Sequence, residues 1–243
     1  MNNPMQTLLE HNRFLMIEQQ IRPWNVLDNK VLELLKLVKR EDYVPAAHVA
    51  LAFGDVEIPL NIGVNGHAGA AMLQPRLEAR LLQECQAKTS DAALHIGTGS
   101  GYFAALLGHC VAAVDSVEID PALAAAAQAK LTAHHVMAVK VHTGDAFVAA
   151  QTAQTAQTAN HSQYDLIVLT GSLPLNKTYE NSVPASIWAQ LKPNGRVVGV
   201  IGGGANMCAV RMVKSADDSV TTTVLFDTAI TPLHGVTVSQ FTF

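Results

Sequence analysis

The stretch from Ala92 to Asp120 constrains the fold more than any other. An apolar run, Ala92 to Ile96, stops at three alternate glycines, Gly97, Gly99 and Gly101. A short helical segment follows, and a second apolar run, Val111 to Val117, ends on the acidic residues Glu118 and Asp120. This order reads as strand, glycine turn, helix, strand. Alternate glycines let a ligand approach the main chain where a side chain would block it. In a right-handed βαβ unit, a carboxylate ending the second strand lies beside the turn and can accept both hydroxyls of a ribose. The unit therefore predicts a nucleoside-cofactor site. Gly99 to Ala104 also fits the loose G-x-G-x-x-A form of the dinucleotide fingerprint, which keeps a nicotinamide cofactor open. The strict Gly-Thr-Gly-Ser-Gly alternation, the roughly ninety residues preceding it, and the Gly144-Asp145-Ala146 turn after another apolar run (Val136 to Val141) favour S-adenosylmethionine. In that reading Asp145 faces an adenine amino group.

Composition narrows the class. The 243 residues allow one large domain or a domain with an appendage, and a sizeable core. A hydrophobic content of 49% with 15% charged residues excludes a disordered chain. The net charge of −4 gives no electrostatic reason to expect nucleic acid or an anionic membrane as partner. Cys85, Cys110 and Cys208 lie far apart without CxxC spacing, so no zinc site is expected and the thiols suit a reducing compartment. The first residues lack the pattern of a secretory signal, and no apolar run approaches 18 residues. The expectation is a cytoplasmic protein.

In chain order, apolar spacing predicts a helix over Met5 to Gln20 ended by Arg22-Pro23, and a second helix capped by Asp28 with Val31, Leu32, Leu34, Leu35 and Val38 buried. A third, short helix opens at Pro45. Gly54 to Gly69 reads as a long loop of functional kind, and Gln74-Pro75 restarts a helix. Past the cofactor unit come an alanine-rich helix from Pro121, a strand over Val136 to Val141, and a Gln-Thr-Ala repeat from Gln151 read as a surface excursion. A buried strand at Tyr164 to Thr170 leads into the loop Gly171 to Pro174. A helix through Ile187 to Leu191 stops at Lys192-Pro193-Asn194-Gly195, and a further strand covers Arg196 to Ile201. Met207 to Lys214 and Val220 to Thr228 form a hairpin at one edge. The expected architecture is α/β: a doubly wound, mostly parallel seven-stranded sheet of Rossmann-like type with an N-terminal helical cap. Residues 1–75 make the cap and an acceptor-side loop, and residues 76–243 the cofactor-binding core. Ligands of such sheets sit beyond the carboxyl ends of the strands.

Taken together, Ile96 to Tyr102 (Ile-Gly-Thr-Gly-Ser-Gly-Tyr), Ser116 to Asp120 (Ser-Val-Glu-Ile-Asp), Gly144-Asp145-Ala146, Tyr164 to Thr170 and Leu191 to Val198 resemble the protein-L-isoaspartate O-methyltransferase family. So do Met16 to Arg22, Val38 to Pro45, Leu73-Gln74-Pro75 and Ala229 to Leu233. The resemblance implies S-adenosylmethionine as methyl donor and, as acceptor, the free carboxylate of an isoaspartyl residue in a damaged protein. The candidate donor-binding set is His95, Gly97, Thr98, Gly99, Ser100, Gly101, Glu118, Ile119, Asp145 and Ala146, with no metal.

The departures concern the acceptor. The family's Thr-Ile-Ser-Gln-Pro motif is Ala71-Met72-Leu73-Gln74-Pro75 here, so both hydroxyls are missing. Thr170, Ser172 and His67 are the candidates to replace them. The acid that the family places before Ile-Gly-Thr-Gly is His95. A protonated imidazole there would repel the sulfonium, so donor affinity is expected to fall below pH 6; a histidine packed with its nitrogens satisfied is the competing expectation. Two other functions stay open: a relative that binds the same donor and serves another acceptor or none, and a nicotinamide-dependent oxidoreductase, which lacks a proton-relay group in a fitting frame.

Overall fold

The computed structural model describes residues 4–61, 69–148 and 163–235. Helix α1 (Pro4–Met16) runs into a single π-helical turn, Ile17–Ile21, and then a 3-10 turn, Arg22–Trp24. The α-helix expected to Gln20 thus widens after Met16. The extra residue in the turn re-aims the backbone and brings both Ile17 and Ile21 to full burial. Helix α2 (Asn29–Leu37) is capped by Asp28, whose carboxylate accepts the Lys30 N–H at 2.8 Å, and it buries Val31, Leu32, Leu34 and Leu35 as its spacing requires. The segment after Pro45 is a 3-10 helix, Ala46–Leu51.

Two short strands, β1 (Ile58–Pro59) and β2 (Ala71–Met72), pair antiparallel. They pin the base of the loop that the sequence leaves open from Gly54 to Gly69. Helix α3 (Pro75–Glu84) then leads to the main sheet, whose seven strands are β3 (Ala92–Ile96), β4 (Ala113–Glu118), β5 (Val139–Thr143), β6 (Tyr164–Leu173), β7 (Leu191–Gly203), β8 (Asn206–Lys214) and β9 (Val220–Asp227). Their order is β5-β4-β3-β6-β7-β8-β9. The first five are parallel, and β8 and β9 add antiparallel as the expected edge hairpin. Helices α4 (Tyr102–Gly108) and α5 (Pro121–Ala133) make the crossovers on one side of β3.

Several boundaries differ from the sequence expectation, and β6 runs on through Gly171 to Leu173 where a loop is expected, carried by pairing of Ser172 and Leu173 with Val200 and Ile201 of β7. Strand β5 starts at Val139, because Val136 still belongs to the helix exit, where its N–H bonds the Leu131 carbonyl at 2.9 Å. Strand β7 starts at Leu191: Pro193-Asn194-Gly195 is a bulge within it, with Asn194 at φ 62° and the register jumping from Tyr164↔Leu191 to Leu166↔Arg196. The helix before it covers Ala185–Trp188 alone. The Gln-Thr-Ala repeat lies outside the described residues.

The direction of winding reverses between β3 and the parallel strand β6. From β3 the chain winds outward through β4 and β5, then returns to the other side of β3 as β6. That reversal opens a crevice at the carboxyl ends of β3 and β6, the place where open α/β sheets bind ligands.

Candidate active site

An open pocket occupies this crevice. Its floor and walls come from strand ends: Ile96 closing β3 with Gly97 and Gly99 just after it, Val117 to Ile119 at the end of β4, Gly144 to Phe147 after β5, and Thr170 and Gly171 in β6. Ala70 and Ala71 close one side, and Thr231 to His234 another.

The glycine turn is specified by sterics. Gly97 has φ 95°, and a Cβ there would meet Thr170 Oγ1 at 3.0 Å and Leu233 Cδ2 at 3.2 Å. Gly101 has φ 87° and lies against Ala127 of α5, where a Cβ would come within 3.2 Å of the alanine Cβ. Gly101 therefore serves helix packing and does not line the pocket.

Glu118 and Asp120 have separate jobs. Glu118 is buried, with Oε2 accepting the Gly99 N–H at 2.8 Å and Oε1 accepting the Asp120 N–H at 3.1 Å. Two backbone donors fix its carboxylate at the pocket wall, and each oxygen retains a lone pair for a further hydrogen bond. Asp120 caps α5 by accepting from Ala122 N–H at 2.8 Å, and its other oxygen accepts from Asn61 Nδ2 at 3.0 Å, tying the core to the loop before β2. Asp145 Oδ1 accepts the Phe147 N–H at 2.9 Å, so it shapes its own turn while its carboxylate lines the pocket.

His95 meets the second of its two expectations, a packed histidine with both nitrogens engaged. It is fully buried, and burial pushes its pKa down to about 3, so it stays neutral wherever the protein is folded near neutrality. Its nitrogens are taken up in one chain of hydrogen bonds. Thr170 Oγ1 lies 2.7 Å from the Gly97 carbonyl and gives it its only proton, so at 3.0 Å it must accept from His95 Nε2–H. His95 Nδ1 then accepts from Ser116 Oγ at 2.9 Å, and Ser116 Oγ accepts from Thr98 Oγ1 at 2.6 Å. The chain laces β3, β4 and β6 together beneath the glycine turn. The repulsion of the donor by a charged His95 is therefore corrected: the residue supports the turn from below.

The same chain disqualifies Thr170 as a replacement hydroxyl. It lines the pocket, but its proton is spent on Gly97 and it cannot donate to an acceptor carboxylate. Ser172 is also corrected. It is 1% exposed, lies outside the pocket lining, and its backbone holds the returning chain by accepting Leu233 N–H at 3.0 Å and donating to Thr231 O at 3.1 Å. His67 lies outside the described residues. Ile119 and Ala146 line the pocket as expected, whereas Thr98 and Ser100 face a smaller chamber on its cap side.

That chamber is bounded by Ala71, Met72, Leu73, Glu78, Gly97 to Ser100, Phe103 and Thr170, and it shares Ala71, Gly97, Gly99 and Thr170 with the main pocket. Beneath it lies an ion pair that the sequence reasoning missed. Arg40, fully buried, spends its guanidinium on the Ala52 carbonyl (Nε, 3.0 Å), the Leu73 carbonyl (Nη2, 2.8 Å) and the Glu78 carboxylate (Nη1). Burial raises the Glu78 pKa to about 7 against the pull of Arg40. A second buried pair, Arg13–Glu41, lies between cap elements. The wall formed by Thr231 to His234 was also missed. Its sequence signals are the family-like run Ala229 to Leu233 and Gly171, where a Cβ would come within 2.7 Å of Leu233 Cγ.

Among the described residues no group of three His, Cys, Asp or Glu side chains could hold a metal ion, and no helix is long and apolar enough to cross a membrane.

A sequence model of the family described as protein-L-isoaspartate(D-aspartate) O-methyltransferase (PCMT) matches residues 11–237. A Pelobacter propionicus protein named protein-L-isoaspartate O-methyltransferase 2 is 30% identical over 236 residues, covering 97% of this chain and 96% of its own. The Roseiflexus castenholzii protein-L-isoaspartate O-methyltransferase is 31% identical over 225 residues, covering 93% of each. Among solved structures, a putative Plasmodium falciparum protein-L-isoaspartate O-methyltransferase in complex with S-adenosyl-L-homocysteine superposes with a TM-score of 0.67 at 15% identity, over 91% of this chain and 97% of that one. Another structure titled protein-L-isoaspartate O-methyltransferase gives 0.69 at 19% identity, over 93% of this chain and 66% of that one, and the two together establish the fold. With its sheet order, its glycine turn and a family match over nearly its whole length, the chain belongs to the protein-L-isoaspartate O-methyltransferase family.

Proposed function

We propose that this chain is an S-adenosylmethionine-dependent O-methyltransferase that esterifies the free carboxylate of L-isoaspartyl residues in damaged proteins. The observation that carries the reading is Glu118, a carboxylate fixed by two backbone N–H groups beside the glycine turn at the switch point of the sheet. It fits the two hydroxyls of a ribose. Asp145 fits the adenine amino group, and Ile119 and Phe147 supply apolar wall for the base. When bound, S-adenosylmethionine supplies a methyl group already activated by its sulfonium.

The chain's own share of the work is alignment. An isoaspartyl carboxylate is ionised at neutral pH, so no general base is required. What the residues must do is hold the acceptor oxygen in line and exclude water. Leu233 and Ala71 close the pocket sides where that exclusion is needed. Residues 1–75 supply the acceptor side and residues 76–243 the donor side in this reading. Three unpaired thiols suit work in a reducing cytoplasm.

One observation favours a second reading. Ala71 and Leu73 carry no hydroxyl, and Thr170 has none to give, so the described pocket offers little to hold an isoaspartyl carboxylate. A relative using the same donor on another acceptor fits that fact. Transfer of labelled methyl to an isoaspartyl peptide, with the aspartyl peptide as control and calorimetry of S-adenosylhomocysteine on the same sample, separates the two. Labelling of the isoaspartyl peptide alone is the expected result. Intact cofactor binding without labelling gives the site to another acceptor.

A further inference from the structure

The donor's methionine arm ends in an α-ammonium and an α-carboxylate, and once buried the ammonium needs an acceptor of its own besides that carboxylate. The family's acid before the glycine turn is absent here, and His95 cannot supply charge, because it is neutral and both its nitrogens are engaged. Three carboxylates line the two joined chambers. Glu118 and Asp145 stand in the main pocket, on the adenosine side. The third, Glu78, stands alone in the cap-side chamber, beyond the shared Gly97–Thr170 wall.

Glu78 comes from the first turn of α3 and is 3% exposed. Among the described residues its carboxylate has one hydrogen-bond partner, Arg40, which reaches it through Nη1 to Oε2. Arg40 is wholly committed: its other nitrogens hold the Ala52 and Leu73 carbonyls, so it fixes Glu78 without itself reaching a ligand. Burial holds this carboxyl close to protonation near neutral pH, as expected of an anion whose compensation is incomplete. A cation entering the chamber would complete it.

We propose that Glu78 receives the α-ammonium of the donor's methionine arm, supplying from α3 the negative charge that the family places at position 95, with Arg40 as its positioning residue. This rests on the reading of the pocket as an S-adenosylmethionine site. It also gives the cap a part in donor binding, since Arg40 anchors the carbonyl of Leu73 and the carboxylate of Glu78 with one side chain.

The test is calorimetry of three ligands on the wild-type chain, Glu78→Gln and Glu78→Asp: S-adenosylhomocysteine, its deamino analogue, and 5′-methylthioadenosine, which lacks the amino-acid end. The wild type should prefer S-adenosylhomocysteine over the deamino analogue by about tenfold to a hundredfold, the size of a charge-assisted hydrogen bond. Glu78→Gln should bind those two alike and leave 5′-methylthioadenosine unchanged. Equal affinities in the wild type, or a preference that survives in Glu78→Gln, would overturn the assignment while the donor site stands. A wild type that binds none of the three removes the donor reading itself, and this proposal with it. Should Glu78→Gln be too unstable to bind even 5′-methylthioadenosine, Glu78→Asp decides. A preference that shrinks while 5′-methylthioadenosine affinity holds supports Glu78, and an unchanged preference overturns it.

Discussion

The two chambers of the site are built in opposite ways. In the main pocket both carboxylates are held by backbone N–H groups: Glu118 by those of Gly99 and Asp120, Asp145 by that of Phe147. In the cap-side chamber the carboxylate is fixed by a side chain from far along the sequence. Arg40 binds Glu78 from 38 positions away and the Leu73 carbonyl from 33. Backbone donors at strand ends come with the fold, so the first chamber is robust to changes in side chains around it. The second depends on a buried ion pair, which is costly to break.

Breaking that pair should give the largest effect. Arg40→Met leaves a carboxyl buried without its partner and frees the Leu73 and Ala52 carbonyls, at a cost of about 3–5 kcal/mol in unfolding free energy. The double variant Arg40→Met/Glu78→Met should recover most of it, because no buried charge remains. Urea unfolding of the single and double variants checks this; a double variant as weak as the single one would mean that the carbonyl bonds of Arg40 carry the stability.

Glu118→Ala tests the other chamber. It removes an acceptor held by two backbone donors and should weaken S-adenosylhomocysteine binding by about 1.5–3 kcal/mol, as for a charge-assisted hydrogen bond. Unchanged affinity by calorimetry removes Glu118 from the ribose.

The same contrast explains what could be read from the sequence. The glycine turn, the carboxylate ending β4 and the Asp145 turn are local patterns, and seven apolar runs marked the seven strands. The roles of Thr170 and Glu78 were not legible, and that of His95 was legible only as one of two competing expectations, because each is set by partners remote in sequence. Thr170 loses its proton to Gly97, 73 positions earlier, and His95 is neutralised by what packs around it. The wall of Thr231 to His234 comes from the chain returning along β6, which spacing alone does not announce. The missing hydroxyls at Ala71 and Leu73 were legible as a loss, but not the carboxylate brought in beneath them.

Ala71→Thr sharpens the comparison from the acceptor side. Residue 71 lines both chambers and is partly exposed, so a hydroxyl there has room. One restored hydrogen bond should raise kcat/KM on an isoaspartyl peptide by about tenfold, near 1.4 kcal/mol, with S-adenosylhomocysteine affinity unchanged. An equal change in both would place residue 71 on the donor.

An effect of the same size concerns pH, and it separates His95 from Glu78. His95 stays neutral in the folded protein down to about pH 3, whereas in the unfolded chain it takes up a proton below about 6.5. The unfolded state therefore binds more protons between these values, and stability falls as pH drops through that window. Glu78 acts with the opposite sign. Its folded pKa of about 7 lies above the unfolded value near 4.5, so the folded state binds the extra proton, and its contribution is lost as pH rises through that interval. Between pH 4.5 and 6.5 the two slopes oppose each other, and the wild type should look nearly flat on their account. His95→Asn removes one slope. From pH 7.5 to 5.5 the unfolding free energy of this variant should rise relative to wild type by about 1.4 kcal/mol, one pKa unit of proton uptake by the unfolded wild-type chain. Donor affinity of the wild type should show no step from His95 over the same range. A difference between variant and wild type that stays constant with pH would mean that the imidazole takes up a proton in the folded protein, and would return a charge to the floor of the donor site.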